Sequence, residues 1–175
     1  MDVQPVPQVL ISRREIAAAV QGLADRITSY YRDKNPLLIG ILKGSFMFMA
    51  DFVRCLDFPL EIEFLRVSSY GGGQESSGKV DVVQGLRCGI TGRHVLVAED
   101  IIDTGLTVSF LMKYLEERDP ASLRLCTLLD KPERRKCEVH IDYTGLTVPD
   151  RFLVGYGLDC DEKYRNLPDI CVLGE

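Results

Sequence analysis

The stretch that most constrains what this chain can fold into is Val95-Leu-Val-Ala-Glu-Asp-Ile-Ile-Asp-Thr-Gly-Leu-Thr107. Val95 to Ala98 are apolar, short and partly β-branched, without the polar alternation of a strand wetted on one side. They predict a strand buried on both faces of a parallel sheet. Such a strand needs helices on both faces, which sets the class as α/β. Glu99 and Asp100 then fall at its carboxyl end, the edge at which open α/β sheets bind ligands. Behind them, Asp103 to Thr107 supply hydroxyls, a glycine that lets backbone approach closely, and the unpaired N–H groups of a following helix. This composition suits a phosphate and a ribose. The same features also occur in βα turns that bind nothing, so composition alone leaves both readings open.

The rest of the chain extends the α/β reading. Ser12 and Glu15 make a capping box, and Ile16, Val20, Leu23, Ile27 and Tyr30 follow at helical spacing, with the helix ending before Asn35-Pro36. Leu37 to Leu42 reads as a buried strand running into Lys43-Gly44, and Phe46 to Leu56 as an apolar helix stopped by Asp57-Phe-Pro59. Leu60 to Val67 alternates like a strand. Ser68 to Lys79 is a loop rich in Ser and Gly that cannot pack a core, and Val80 to Val83 reads as an edge strand. After the signature strand come a helix with Val108, Leu111, Met112 and Leu115 on one stripe, and a strand at Leu123 to Leu129. Strand-like runs at Val139 to Tyr143, Phe152 to Tyr156 and Ile170 to Leu173 complete the chain. The expected architecture is a mostly parallel twisted sheet flanked by helices, with a small hood. One domain is expected over residues 1–175, its core at about 36–150 and its hood from the N-terminal segment and about 151–175.

Composition excludes several classes of function. The six cysteines show no C-x-x-C pair, several lie in apolar runs, and His94 and His140 are far apart, so neither a disulfide framework nor a zinc site is expected. Any metal should be oxygen-bound. No charged-then-apolar leader opens the chain and no apolar run approaches the ~18 residues that span a bilayer, so a cytoplasmic setting away from membranes is expected. The net charge of −5 speaks against a general nucleic-acid surface.

Gly73-Gln-Glu-Ser-Ser-Gly-Lys79 matches G-x-x-x-x-G-K, the phosphate loop of nucleotide hydrolases. Yet Val80 stands where Ser or Thr should hold Mg²⁺, and Val80-Asp-Val-Val alternates like a strand where a helix should open. The segment suits a mobile lid better, with Ser69-Tyr70 at its base to cover a ligand, although a plain connector would have the same composition.

The signature itself resembles that of the type I phosphoribosyltransferases, in which two acidic residues follow four apolar ones and precede a D-[ST]-G-x-T loop. Further pieces occur in order: Leu42-Lys-Gly44, Ser69-Tyr70, Leu129-Asp-Lys131, Phe152 to Asp159 and Tyr164-Arg-Asn-Leu167. Together they resemble the hypoxanthine-guanine branch of that family in its short bacterial form. The resemblance implies a Mg²⁺-dependent transfer of phosphoribosyl from phosphoribosyl diphosphate (PRPP) to N9 of a 6-oxopurine. It implies that Lys43 and Gly44 form the pyrophosphate loop, where the family has a non-proline cis peptide before the lysine. Glu99 and Asp100 would hold the ribose hydroxyls, directly or through Mg²⁺. Asp103 would be the catalytic base at purine N7, and Asp103, Thr104, Gly105, Leu106 and Thr107 would bind the 5′-phosphate. Lys131 would donate to the purine O6, Phe152 would stack on the base, and Leu153 would read the purine edge through its backbone. Asp159 would hold a second Mg²⁺ and Arg165 would reach the pyrophosphate.

Leu106 is a cation in some relatives, and Cys160 replaces an aromatic common after the metal aspartate. The partners implied are small substrates and further copies of the chain, as homodimer or homotetramer. Two other functions remain open at this stage: transfer to another base such as xanthine or adenine, and a non-catalytic PRPP-sensing regulator. Lys131 speaks against adenine, since an ammonium has no acceptor for a 6-amino group.

Overall fold

The computed structural model describes residues 6–69 and 80–174. A six-stranded sheet runs in the order β4-β3-β2-β5-β6-β7, made of β2 (Leu37–Leu42), β3 (Glu61–Ser69), β4 (Val80–Gln84), β5 (His94–Ile102), β6 (Ser122–Asp130) and β7 (Tyr143–Thr147). Every pairing is parallel except that of the edge strand β4 with β3. The chain enters at β2, steps outward to β3 and β4, then returns to the other side of β2 as β5. The order therefore reverses between β2 and β5, and their carboxyl ends flank the crevice where sheets of this kind bind ligands.

Both faces of the sheet are covered, as the uninterrupted apolar runs require. Along β2 and β5 the side chains alternate between faces. Leu38, Leu96 and Ala98 pack with α1 (Arg13–Tyr31) and α2 (Phe46–Arg54), whereas Leu37, Ile39, Val95 and Val97 pack with Leu111 and Leu115 of α3 (Leu106–Glu116). The Ser12 hydroxyl accepts from the Glu15 amide, completing the capping box that opens α1. Tyr31, at the other end of α1, is fully buried and donates to the Val95 carbonyl at 3.1 Å.

A second, three-stranded sheet joins the two ends of the chain in the order β1-β9-β8, from β1 (Gln8–Ile11), β8 (Leu153–Val154) and β9 (Ile170–Val172). The strand at Gln8–Ile11 was not expected from sequence; its inward residue Ile11 is held in register opposite Ile170.

Three expectations need correction. The strand expected at Val139 to Tyr143 lies instead at Tyr143–Thr147, because the segment ahead of it is held at Lys136 by the Thr104 carbonyl and joins β6 at Asp142, whose amide donates to the Leu125 carbonyl. The run expected at Phe152 to Tyr156 shortens to two paired residues, since Gly155 and Tyr156 take positive φ. Ser68 and Ser69 belong to β3 rather than to the following loop. Residues 70–79, which include Tyr70 and the G-x-x-x-x-G-K match, lie outside the described residues, but the strand β4 that follows them is incompatible with a nucleotide-hydrolase phosphate loop, which must open a helix.

Candidate active site

The carboxyl end of β5 carries the acidic pair inside the strand rather than beyond it, and Glu99 and Asp100 are each only 8% exposed. Burial pushes both carboxyls up, and the like charge of Asp100 holds Glu99 well above the usual carboxylate range. Arg165 opposes the rise at Asp100.

The loop after β2 is pressed against this pair. The Leu42–Lys43 peptide is cis, as the resemblance implies. A Cβ on Gly44 would lie 2.0 Å from Asp100 Oδ2, and one on Gly157 would lie 2.2 Å from the Gly44 carbonyl oxygen. The backbone at Gly44 is thus wedged between the acidic pair and the turn after β8, which is where glycine at both positions becomes a requirement.

Behind β5, Asp103 to Thr107 wrap a cavity of about 180 Å³, walled by Glu99, Asp103, Thr104, Gly105 and Thr107 among others. Gly105 takes φ +83 immediately before α3, so the loop turns into the helix without obstructing its N–H groups. Leu106 does not wall the cavity; its amide donates to the Thr104 hydroxyl at 3.4 Å.

Residues that sequence reasoning passed over hold this loop from outside. Arg135 donates from Nε to the Asp103 carbonyl at 3.1 Å, reaches the Ile102 carbonyl and pairs with Asp130. The Lys136 amide donates to the Thr104 carbonyl at 2.8 Å, and a Cβ on Gly105 would meet Arg135 Cδ and Val139 Cγ2. Loop carbonyls engaged in this way are turned from the cavity, which favours N–H groups toward it. The one sequence signal was the run of charges from Lys131 to Lys136.

A second cavity, of about 380 Å³, shares Glu99 and Asp103 with the first and is walled also by Lys43, Gly44, Asp100, Lys131, Phe152, Leu153, Asp159 and Arg165. The fold therefore brings together, around two adjoining cavities, the expected residues from five separate segments. Lys131 is 4% exposed; its ammonium donates to the Arg151 carbonyl at 2.8 Å and stands 4.0 Å from Asp103 Oδ2. Arg134 Nε lies 3.7 Å from Asp103 Oδ1 and 3.7 Å from Asp150. Asp103 Oδ1 is buried with no hydrogen-bond partner, an acceptor left open. Phe152 is 54% exposed, a large ring at the cavity edge with one face unpacked. Arg165 pairs with Asp159 at 2.9 Å and donates to the Gly157 carbonyl, leaving its Nε without a partner. Ser69 ends β3, and nothing further of the expected lid is described.

No group of three His, Cys, Asp or Glu converges as a metal cage among the described residues. The acidic pair offers adjacent hard oxygen donors whose mutual repulsion a divalent cation would relieve. That donor set fits Mg²⁺, which takes one or two carboxylates and completes its octahedron with water and substrate oxygens.

The comparisons with known proteins agree with this geometry. The model of the phosphoribosyl transferase domain matches residues 10–161. The hypoxanthine-guanine phosphoribosyltransferase of Streptococcus pneumoniae is 51% identical over 170 residues, covering 97% of this chain and 94% of its own. That of Bacillus subtilis is 48% identical over 168 residues, covering 96% and 93%. Among solved structures, a hypoxanthine phosphoribosyltransferase from Staphylococcus aureus superposes with a TM-score of 0.91 at 44% identity, over 95% of this chain and 91% of that one. A strand ending in a buried acidic pair, a phosphate-sized turn behind it, and relatives of this likeness along nearly the whole chain place the protein in the phosphoribosyl transferase family.

Proposed function

We propose that this chain is a purine salvage enzyme that transfers the phosphoribosyl group of PRPP to N9 of hypoxanthine or guanine, giving IMP or GMP and pyrophosphate. The observation that carries the reading is the pairing of a buried ammonium, Lys131, with a carboxylate, Asp103, 4.0 Å away in the wall of one cavity. A 6-oxopurine presents O6 and N7 side by side on one edge. Lys131 donates to O6, and Asp103 accepts a proton at N7 through Oδ1, which accepts no hydrogen bond among the described residues. A 6-amino group would put donor against donor at Lys131, which disfavours adenine.

The remaining residues divide the substrate between them. Phe152 stacks on the base at the cavity edge and the Leu153 backbone meets the purine edge. The 5′-phosphate lies in the smaller cavity on the hydroxyls of Thr104 and Thr107 and the amides of the turn at Thr104, Gly105 and Thr107, with the Leu106 amide released from the Thr104 hydroxyl to reach it. Glu99 and Asp100 hold the ribose hydroxyls and place negative charge beside a ribose that becomes cationic as its bond to pyrophosphate loosens. Lys43 and Arg165 stabilise the departing pyrophosphate. Mg²⁺ held at Glu99 and Asp100, and a second Mg²⁺ held at Asp159, would supply charge neutralisation at the pyrophosphate oxygens. Ser69 and Tyr70 belong to a lid that keeps water from the ribosyl cation. We read residues 1–175 as one domain acting on small molecules as a homodimer or homotetramer in the cytoplasm; among the described residues no helix is long and apolar enough to cross a membrane.

The test is release of pyrophosphate from PRPP and Mg²⁺ with hypoxanthine, guanine, xanthine and adenine in turn. Turnover with hypoxanthine or guanine and none with adenine is expected. Turnover restricted to xanthine, or PRPP binding with no turnover on any base, would overturn the reading in favour of another transferase or of a regulator.

A further inference from the structure

Lys43 and Arg165, the two cations assigned above to the leaving pyrophosphate, already hold an anion of the protein's own. Glu162 accepts from Lys43 Nζ at 2.7 Å through one carboxylate oxygen and from Arg165 Nη2 at 3.3 Å through the other. The first contact joins residues 119 apart in sequence, so it links the loop after β2 to the turn after β8. No other carboxylate among the described residues forms an ion pair with both cations.

The backbone that delivers Glu162 is unusual. Cys160 and Lys163 exchange amide-to-carbonyl bonds of 3.1 and 3.0 Å around a two-residue turn, Asp161-Glu162, in which φ is +49 and +63. Left-handed backbone at both central positions favours Gly, Asn or Asp, and a long side chain there runs against that preference. Outliers of this kind cluster where the surroundings hold them for a purpose. The Glu162 amide donates to Asp159 Oδ2 at 2.9 Å, which fixes the turn, and the carboxylate is left free to reach the two cations. The hydrogen bond from Lys43, with the charges of Lys43 and Arg165, lowers the Glu162 carboxyl from its ordinary value.

We propose that Glu162 is a built-in counter-ion of the pyrophosphate subsite, a positioning residue that acts through Lys43 and Arg165. This rests on the reading of those two cations as pyrophosphate ligands. In the free enzyme the carboxylate stands between them and keeps their side chains at the cavity mouth. The diphosphate of PRPP, with more charge and more oxygens, displaces it. As pyrophosphate loosens, Glu162 takes the cations back, so that it competes against ground-state binding of PRPP and against retention of the product. Its half-exposed contacts are of the weak, solvent-screened kind, so the competition is modest: removing the charge should tighten pyrophosphate binding about two- to tenfold.

The experiment is calorimetric binding of Mg²⁺-pyrophosphate to wild type, Glu162→Gln, Glu162→Asp and Lys43→Ala at low ionic strength, with steady-state kinetics alongside. Glu162→Gln is expected to bind pyrophosphate tighter, to lower KM for PRPP and the inhibition constant of pyrophosphate by the same factor, and to leave KM for hypoxanthine unchanged. Glu162→Asp, which keeps the charge on a shorter arm, should fall between. Equal or weaker pyrophosphate binding in Glu162→Gln, with Lys43→Ala still impaired, would overturn the counter-ion while leaving the subsite in place. Unimpaired pyrophosphate binding in Lys43→Ala would overturn the subsite and the counter-ion together.

Discussion

Three side chains at the site carry separable roles. Asp103 has one oxygen 4.0 Å from Lys131 and another, 3.7 Å from Arg134, that accepts no hydrogen bond among the described residues, so a neutral amide there keeps the shape and loses the proton acceptor. Asp103→Asn should therefore bind PRPP as wild type does and lose about 10²- to 10⁴-fold in kcat, the usual worth of a general base. Unchanged turnover in the purified variant would remove Asp103 from the chemistry. Lys131→Ala should raise KM for hypoxanthine and guanine far more than for PRPP, because the proposed reading gives its ammonium to the purine O6; equal losses for both would mean a role in structure or phosphate binding. Glu99 is expected to act on stability through its charge. Its folded-state value stands above the ordinary 4.5, so the stability tied to it is complete below that value and is lost as pH rises through the raised one. Glu99→Gln escapes that loss. Without Mg²⁺, the excess of its Tm over that of wild type should be near zero at pH 4 and grow toward pH 8; a constant difference would show that the buried pair carries no such strain.

At the scale of elements, the site is an assembly of loops pressed against strand ends. The loop after β2 passes so close to Asp100 that any side chain at position 44 must move one of them. A displacement of about 1 Å in a positioned group can cost about 10²-fold in rate, and Gly44→Ala should lose at least that in kcat/KM while keeping its far-ultraviolet circular dichroism. Full activity would mean that the loop and Asp100 adjust freely. The phosphate turn is shaped in the same way, by Arg135, Lys136 and Val139 on its outer side. This explains why β7 starts four residues later than the periodicity suggests: the chain ahead of it is held against the turn at Lys136 and Val139, and it joins β6 at Asp142, whose amide donates to the Leu125 carbonyl.

For the molecule as a whole, ligands couple the two sheets. The wall of the larger cavity takes Lys43 and Asp100 from the ends of β2 and β5, and Phe152, Asp159 and Arg165 from around β8 and the turn beyond it. Arg13 and Asp169 add an ion pair at 3.1 Å between the start of α1 and the segment before β9. A ligand that fills the cavity binds only the folded chain. At a hundred times its Kd it should add about 2.7 kcal/mol, which for a chain of this length corresponds to about 5–10 °C in Tm. Differential scanning calorimetry with PRPP and Mg²⁺ checks this; an unshifted transition at saturating ligand would mean that PRPP does not bind the folded chain in preference to the unfolded one.

What was legible in the sequence was whatever depends on neighbours along the chain. Continuous apolar runs announced β2, β5 and β6 because a strand buried on both faces is built mostly from apolar residues. The capping box announced α1 because its two hydrogen bonds are local. The acidic pair and the turn after it were legible because they share one strand end. Tertiary structure alone decided what depends on residues far apart. Gln8–Ile11 pairs with β9 across the whole length of the chain, which no local period signals. Arg135 braces the Asp103 carbonyl from 32 residues away, and Glu162 reaches Lys43 from 119. Such contacts are set by how the crossovers fold back over the sheet edge. A side chain's partner there is chosen by the packing of the elements that carry it, and spacing in the sequence holds no record of that choice.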